Sequence, residues 1–145
     1  MRHLNRIAIP LCLALVLVSV GCRGTKDNGA TGTSGAGVRV TDVTLGRAIG
    51  GDKAVTDKTD NFKPNDTIYA SIATDGSAAS TSLRTLWTYQ DGQVVNDSNR
   101  TIVANSRERT EFHISKPGGW PTGDYKLEVF VDGRSVETKK FEVKD

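Results

Sequence analysis

From Val38 to the end of the chain, apolar side chains alternate with polar ones. The alternation is interrupted about every 8–12 residues by turn-forming residues, as in proteins built from many short strands. A period of two places successive side chains on opposite faces of a strand, whereas an amphipathic helix requires a period of about 3.6. We find no stretch at helical spacing in this part of the sequence. The pattern therefore predicts an all-β domain over residues 38–145.

The predicted strands share this alternation and number seven to eight. They cover residues 38–45, 66–74, 83–90, 93–95, 100–104, 109–115, 125–131 and 134–143. Asp91-Gly92 and Asp132-Gly133 separate alternating runs, and the Asp-Gly pair favours the two positive φ angles of a tight hairpin turn. Strands of this number and spacing predict a single β-sandwich.

Two aromatic residues take positions that are typical of one kind of sandwich. Tyr125 begins a strand directly after Pro121-Thr-Gly-Asp, and Trp87 lies within an earlier strand. This arrangement resembles the tyrosine corner and the core tryptophan of immunoglobulin-like and fibronectin-type domains. The resemblance implies that strands 83–90 and 125–131 are neighbours and that the Tyr125 hydroxyl bonds to upstream backbone. The disulfide of antibody domains is absent, so the resemblance extends to the sandwich and not to the antibody family.

The chain begins with a positively charged start and an uncharged run over residues 7–20, which is short for a membrane span. The run ends in Ser19-Val20-Gly21-Cys22, which resembles the lipobox of bacterial lipoproteins. The resemblance implies that residues 1–21 are removed and that Cys22 carries the lipid. An ordinary signal peptidase, leaving a secreted protein with a free Cys22, is the alternative.

The lipoprotein resemblance also implies a location. Arg23 follows the cysteine where inner-membrane lipoproteins of enteric bacteria carry Asp, which favours the outer membrane, facing the periplasm. Residues 22–37 are rich in Gly and contain no apolar residue larger than Ala after the cysteine, so they predict a flexible tether. The predicted organisation is a signal peptide, a lipidated tether and one sandwich domain.

Charge argues against a nucleic-acid partner. Loss of Arg2 and Arg6 with the signal peptide reduces the 19 basic side chains to 17, which equals the 17 acidic ones. A chain without excess positive charge has no electrostatic footprint for nucleic acid or anionic lipid. We therefore expect contact with a membrane through the lipid alone, and a protein partner.

The residue types needed for catalysis or for metal binding are scarce. After processing, His113 is the only histidine, and its alternation with Phe112 and Ile114 predicts a solvent-facing position. The sequence contains no Gly-x-Ser-x-Gly nucleophile elbow, and one His with one acylated Cys cannot form a structural zinc site. We expect no catalytic residues, no cofactor and no metal.

Three residues are candidates for contact with a protein partner: Leu86, Phe130 and Trp120. Leu86 and Phe130 take outward positions on neighbouring strands, where they form either an apolar patch or an ordinary cross-strand pair. Trp120 lies in the Gly-rich segment 117–123, where it either stacks on a ligand or folds over the end of the sandwich. The segment lacks the Lys of a phosphate-binding loop and precedes a strand, so it is not expected to hold phosphate.

Two segments depart from simple alternation. Residues 46–65 show no pattern, and we expect Ala54-Val55 or Phe62 to pack against the edge of the core. The acidic residues of this loop do not have the spacing of a calcium-binding loop. In the last strand the apolar residues change phase, which predicts a β-bulge near Lys139-Lys140.

The sequence thus favours a membrane-anchored envelope lipoprotein that acts as a non-catalytic binding or assembly module. The alternative is an envelope inhibitor of a hydrolase, a muramidase or a protease, that inserts residues 46–65 or 117–123 into the active-site cleft. An enzyme is a remote third hypothesis, because the sequence supplies so few catalytic residues.

The lipid anchor is directly testable. Mass spectrometry of the mature protein should find an N-terminal Cys22 that carries acyl chains, and Cys22→Ser should release the protein from the membrane fraction. Acyl chains contribute about 0.8 kcal/mol of membrane affinity per buried methylene, so their loss removes the anchor. An unmodified Cys22 in the mature chain would contradict the assignment.

Overall fold

The alternating residues form eight β-strands in the computed structural model, which describes residues 37–145. The predicted signal segment, Cys22 and nearly all of the predicted tether lie outside the described residues. Among the described residues there is no helix, and so none of the length and apolarity needed to cross a membrane. The strands are β1 Arg39–Gly46, β2 Asn61–Phe62, β3 Ile68–Asp75, β4 Ala78–Tyr89, β5 Gln93–Ala104, β6 Glu108–Ile114, β7 Gly123–Val131 and β8 Arg134–Val143.

The strands form two sheets that pack face to face. One sheet has three strands in the order β1-β3-β6, and the other has five in the order β2-β8-β7-β4-β5. All neighbours are antiparallel except β2 and β8. The predicted all-β fold, a single immunoglobulin-like sandwich, is confirmed, and so is the pairing of β4 with β7, from Leu83 opposite Val131 to Tyr89 opposite Tyr125.

The core lies between the two sheets because each strand directs one side-chain phase inward. In β4, Leu83 and Trp87 are fully buried, while the alternate residues Arg84 and Leu86 face outward and are half-buried. The apolar residues of the other strands that are equally buried are Ile68, Ala70, Ile72, Ala104, Leu127, Val129 and Val143. Buried and less buried residues therefore alternate along most of β3, β4 and β7, as the predicted period of two requires.

Strand β5 corrects the prediction of two short strands at 93–95 and 100–104. It is one continuous strand of 12 residues that pairs with β4 along its length. The segment between the two predicted strands, Asn-Asp-Ser-Asn, has low strand propensity and favours turns. Ladder hydrogen bonds to β4 override that local preference. Strand β2, within the unpatterned segment 46–65, was not predicted because two residues are too few to alternate.

The bulge in β8 is not where the sequence placed it. Val129 pairs with Glu137 and Phe130 pairs with Ser135, so the extra residue is Val136, not Lys139-Lys140. Val136 stays 46% exposed instead of returning to the core. The last strand begins beside the hairpin turn, and the turn register, not the apolar phase, determines its pairing there.

Two turns follow the sequence closely. Val131 and Arg134 pair across Asp132-Gly133, whose φ angles are 48° and 80°, as a type I′ turn requires. Gly92, after Asp91, has a φ of 98°, and its N–H donates to the carbonyl oxygen of Tyr89 at 3.2 Å. The two-residue turn at Asp132-Gly133 is confirmed. A hairpin connection is also present at Asp91-Gly92, but it has three residues, and its positive φ angles lie at Gln90 and Gly92.

The tyrosine corner is present. The Tyr125 hydroxyl donates to the carbonyl oxygen of Pro121, four residues upstream, at 2.7 Å. Tyr125 is 3% exposed, and burial, with a smaller contribution from neighbouring Tyr89, raises the pKa of its phenol to about 12. This bond connects the start of β7 to the loop before it.

Tyr125→Phe tests this corner. The substitution removes one buried hydrogen bond and should lower the free energy of unfolding by about 1 kcal/mol at neutral pH. In the wild type the unfolded phenol ionises near pH 10 and the folded one near pH 12, so Tyr125 contributes full stability below pH 10 and loses it as pH rises toward 12. Urea unfolding, followed by Trp fluorescence from pH 8 to 12, gives the free energy of unfolding at each pH. The decrease in this free energy between pH 10 and 12 that Tyr125 causes should be absent in the variant.

Tyr69→Phe is the matched control for loss of a tyrosine hydroxyl, since Tyr69 lies in the other sheet and is half-buried. A Tyr125→Phe variant with the stability and alkaline profile of the wild type would contradict a stabilising role for the corner.

Candidate functional site

An open cleft of about 350 Å³ lies at one end of the sandwich and is called here the end cleft. It lies where β4 and β6 end and where β5 and β7 begin. Its lining shares an aromatic and apolar character, with a few polar groups: Tyr89, Gln93, Val94, Val95, Ser115, Lys116, Pro117, Trp120, Pro121 and Tyr125. Trp120 and Tyr125 are buried, so each contributes only an edge, while Val94 and Pro117 are exposed.

The Gly-rich loop between β6 and β7 positions Trp120. Gly118 and Gly119 have φ angles of 87° and 86°, which a residue with a Cβ rarely adopts. The turn directs the Trp120 backbone N–H to the carbonyl oxygen of Pro64 at 2.7 Å, and its indole N–H donates to the carbonyl oxygen of Asp66 at 3.0 Å. Trp120 is 6% exposed and thus folds over the sandwich end, one of the two predicted alternatives. The exposed ring that stacking on a ligand requires is not observed.

The chemistry of the end cleft suits binding. Lys116 is its single charged lining residue, and none of the lining residues is Asp, Glu, His or Cys. Tyr125 keeps its proton at physiological pH because burial raises its pKa to about 12. The cleft can therefore bury apolar or aromatic groups and offers Gln93 and Ser115 for hydrogen bonds. It contains no acid and base pair for proton transfer.

Leu86 and Phe130 lie on the same outer face but are not opposite each other. Leu86 pairs with Asp97 on one side and Glu128 on the other, while Phe130 pairs with Arg84. The two side chains are diagonal neighbours, and both are half-buried. The residues directly opposite them on the β4–β7 ladder are charged, so the directly opposed cross-strand pair, one of the two expectations, is not observed.

Arg84 covers part of the expected apolar patch. Its guanidinium carbon lies 5.0 Å from the centroid of the Phe130 ring, a cation–π contact. The same guanidinium donates two hydrogen bonds to the Asp97 carboxylate, at 2.7 and 2.6 Å. These bonds lower the pKa of Asp97 and raise that of Arg84. The outer face around Phe130 is thus largely occupied by the domain's own side chains.

The large apolar residues that are exposed lie elsewhere, and the sequence reasoning missed them. Among the described residues they are Val94 at 59%, Val103 at 55% and Val136 at 46%. Val94 and Val103 lie near the two ends of β5. Simple alternation along β5 would not have indicated both, because Val94 and Val103 are nine positions apart and share a face only through the bulge at Val95.

The long segment 46–65 is held against the sandwich. An isolated bridge joins Ile49 to Val55, and the Arg47 side chain donates to the Asp57 carboxylate at 3.0 Å. Val55 is 8% exposed and Phe62 is 1% exposed, which confirms the predicted contact with the core.

Groups with potential chemistry are dispersed in the described part of the chain. No group of three or more His, Cys, Asp or Glu side chains is arranged there to hold a metal ion. His113 faces solvent, as predicted, with its ring beside the Glu111 carboxylate. The structure does not bring His113 together with the end cleft or with the outer-face residues.

No protein-family model matches the sequence, and no curated protein matches it. Among solved structures, the C-terminal domain of Wzt is similar with a TM-score of 0.56 and 11% identity, over 77% of this chain and 75% of that domain. An immunoglobulin-like protein from Pseudomonas aeruginosa has a TM-score of 0.49 and 16% identity, over 75% of this chain and 98% of that protein. The alkylpurine DNA glycosylase AlkC of Pseudomonas fluorescens has a TM-score of 0.49 and 17% identity, over 77% of this chain and 31% of AlkC.

These similarities concern the fold. The chain spans about a third of the length of AlkC, and every identity is below one fifth. The similarity to the Wzt domain supports the immunoglobulin-like sandwich that the strand order shows.

Substitution of Trp120 tests whether it is structural. Trp120→Ala should lower the free energy of unfolding by about 3–5 kcal/mol, because it removes a large buried ring at the sandwich end. Trp120→Phe keeps a ring but loses the indole N–H bond to Asp66, and should lower it by about 1 kcal/mol or more. Urea unfolding followed by circular dichroism gives both values. Lys116→Ala, at an exposed lining position, is the control, and a Trp120→Ala protein as stable as that control would contradict the burial of the ring.

Proposed function

We propose that the protein is a non-catalytic binding module, held at the bacterial cell envelope by a lipid on Cys22, that engages a protein partner through the end cleft. The observation that carries the proposal is the position of the cleft. The described chain enters the sandwich at Val38 and Arg39, where Arg39 bonds to Asp75 at 2.7 Å. Strand β1 then runs eight residues to the opposite end, a distance of about 26 Å at the usual rise per residue. The described chain therefore enters the sandwich at the end far from the cleft.

The composition of the cleft supports binding over catalysis. Pockets that recognise ligands are lined mainly by apolar and aromatic side chains with a few polar groups for orientation. The end cleft has this composition, and its lining lacks carboxylates and imidazoles. Its floor is rigid because Trp120 and Tyr125 are fixed by hydrogen bonds to backbone carbonyl oxygens.

The location rests on the sequence resemblance. The Ser19-Val20-Gly21-Cys22 segment supports lipidation, and Arg23 supports the outer membrane, with the domain facing the periplasm. An equal number of basic and acidic side chains in the mature chain supports a protein partner over nucleic acid.

The alternative of a hydrolase inhibitor has less support. An inhibitor of that kind inserts a projecting loop into the enzyme, and both candidate loops are tied to the sandwich. Residues 46–65 bury Val55 and Phe62, and residues 117–123 bury Trp120. We therefore retain the binding module as the proposed function.

Site-specific photo-crosslinking in the cells that make the protein tests the proposal. A photoreactive residue replaces the exposed Pro117 at the cleft, and the matched control replaces Arg134, an exposed residue at the opposite end. Light should join the Pro117 variant to one partner, identified by mass spectrometry, and should yield no such adduct at Arg134.

Variants with the photoreactive residue at Leu86 or Phe130 compare the outer face with the cleft. Adducts from those positions and none from Pro117 would move the binding surface to the five-stranded sheet. Absence of a protein adduct at every position would contradict a protein partner.

A further inference from the structure

Strand β5 forms an open edge of the five-stranded sheet. It pairs with β4 on one side and, among the described residues, has no strand on the other. At 12 residues it is longer than β1 and β6, the edge strands of the other sheet, which have eight and seven. The outward N–H and C=O groups of an edge strand are a template for pairing with another strand.

Devices that block pairing at an edge include lysine, proline, β-bulges and inward-pointing charges. Strand β5 carries a bulge at Val95 and the inward-facing Arg100, but it lacks the lysine and proline that most directly block pairing. Strand β6 has three charged residues among seven, whereas β5 has no Lys and no Pro. Its two charged side chains are engaged by the domain itself, because Asp97 accepts hydrogen bonds from Arg84 and the Arg100 guanidinium lies 5.0 Å from the centre of the Phe112 ring.

A bulge near the start of β5 determines which side chains share its outer face. Trp87 pairs with Asn96 and Thr88 pairs with Val94, so Val95 is an extra residue. Because of this extra residue, Val94 and Val103 point to the same face although they are nine positions apart. The outer face therefore reads, in order, Val94, Asp97, Asn99, Thr101 and Val103.

This order is self-complementary. An exposed valine stands at each end, and short polar side chains lie between Asp97 and the second valine. When a second copy of β5 runs antiparallel to the first about Asn99, Val94 of each copy lies opposite Val103 of the other. A two-fold symmetric interface requires a surface that matches itself in this way.

We infer that β5 is the interface of a homodimer, in which two copies of this chain pair antiparallel, edge to edge, about a two-fold axis at Asn99. The axis is normal to the sheet, so each side chain keeps its face. Asn99 then lies opposite its own copy, and Asp97 lies opposite Thr101. Because Val95 is the extra residue of the bulge and is not counted in the pairing, Val94 lies opposite Val103. The two five-stranded sheets become one continuous sheet, and the exposed valines bury each other. Val94 also lines the end cleft, so in the dimer Val103 of the second copy forms part of the rim of that cleft.

Charge selects this register over its neighbours. An axis at Asp97 places two carboxylates opposite each other, and an axis at Arg100 does the same with two guanidinium groups. Like charges directly opposite in a sheet are destabilising. An axis at Ser98 avoids repulsion but places Val94 opposite Thr101 and leaves Val103 beyond the pairing. The axis at Asn99 places no like charges opposite each other, because Arg100 of one copy then lies opposite Ser98 of the other on the inner face.

Disulfide trapping with the full-length chain in cells tests the register. In the dimer, the Cβ atoms of residue 99 from two copies are about 5 Å apart, within reach of a disulfide. Asn99→Cys should therefore give a disulfide-linked dimer on non-reducing gels. Thr101→Cys is the matched control on the same face, because its two copies are offset by about 13 Å along the strands. The unsubstituted chain controls for the thiol of Cys22.

Equal dimer yields from Asn99→Cys and Thr101→Cys would indicate collision and would overturn the proposed register. No dimer from Asn99→Cys would also count against it.

A charge exchange at the axis tests the interface without a disulfide. Two differently tagged full-length chains are co-expressed, solubilised in mild detergent, and recovered through one tag. Asn99→Asp in both chains, or Asn99→Lys in both, should reduce co-recovery several-fold, because two like charges meet at the axis. Asn99→Asp in one chain and Asn99→Lys in the other should restore it, and this restoration excludes misfolding as the cause. Co-recovery that is the same in all combinations would overturn the homodimer.

Discussion

The sandwich depends on one aromatic cluster at the end that carries the cleft. Tyr125 stacks on Phe141 with centroids 5.2 Å apart, and Phe141 contacts Trp87 edge-on at 5.9 Å. With Phe62, Tyr89 and Trp120, the cluster contains six of the nine aromatic residues in the chain. Both cysteines precede the domain, so no disulfide joins its sheets. Aromatic pairs contribute about 0.5–1.5 kcal/mol beyond their buried area, and here they connect β2, β4, β7, β8 and the loop before β7.

The same cluster explains why the end cleft exists. Trp120 and Tyr125 are held by backbone carbonyl oxygens, so their rings close the core and leave only edges at the surface. The β6–β7 loop cannot collapse further onto the start of β5, because the rings fill that space. A rigid aromatic base with a small polar rim is thus a consequence of how this sandwich is closed without a disulfide. The rings at the base of the cleft also stabilise the core, so variants that test the cleft must be chosen at exposed rim positions.

The two proposed surfaces, the end cleft and the free edge of β5, lie at the margins of the fold. Neither lies on the broad outer face of the five-stranded sheet. On that face Arg84 is shared between Asp97 and Phe130, and Glu128 accepts a hydrogen bond from Ser135. Side chains that satisfy one another have less to offer a partner. The free edge of β5 and the end cleft retain unpaired backbone and open apolar surface, and they suit assembly and recognition respectively.

The sequence by itself determined the sandwich, the turn at Asp132-Gly133, the alternation along β3, β4 and β7, and the corner at Tyr125. Each of these depends on residues within one strand or turn, where alternation, positive φ and strand propensity act locally. Tertiary structure decided the continuity of β5, the bulge at Val136, the burial of Trp120 and the cover of Phe130 by Arg84. Those features depend on pairing between strands distant in sequence, and the end cleft and the β5 edge depend on them in turn. A local pattern can specify a strand, but only its neighbours decide which of its groups remain free.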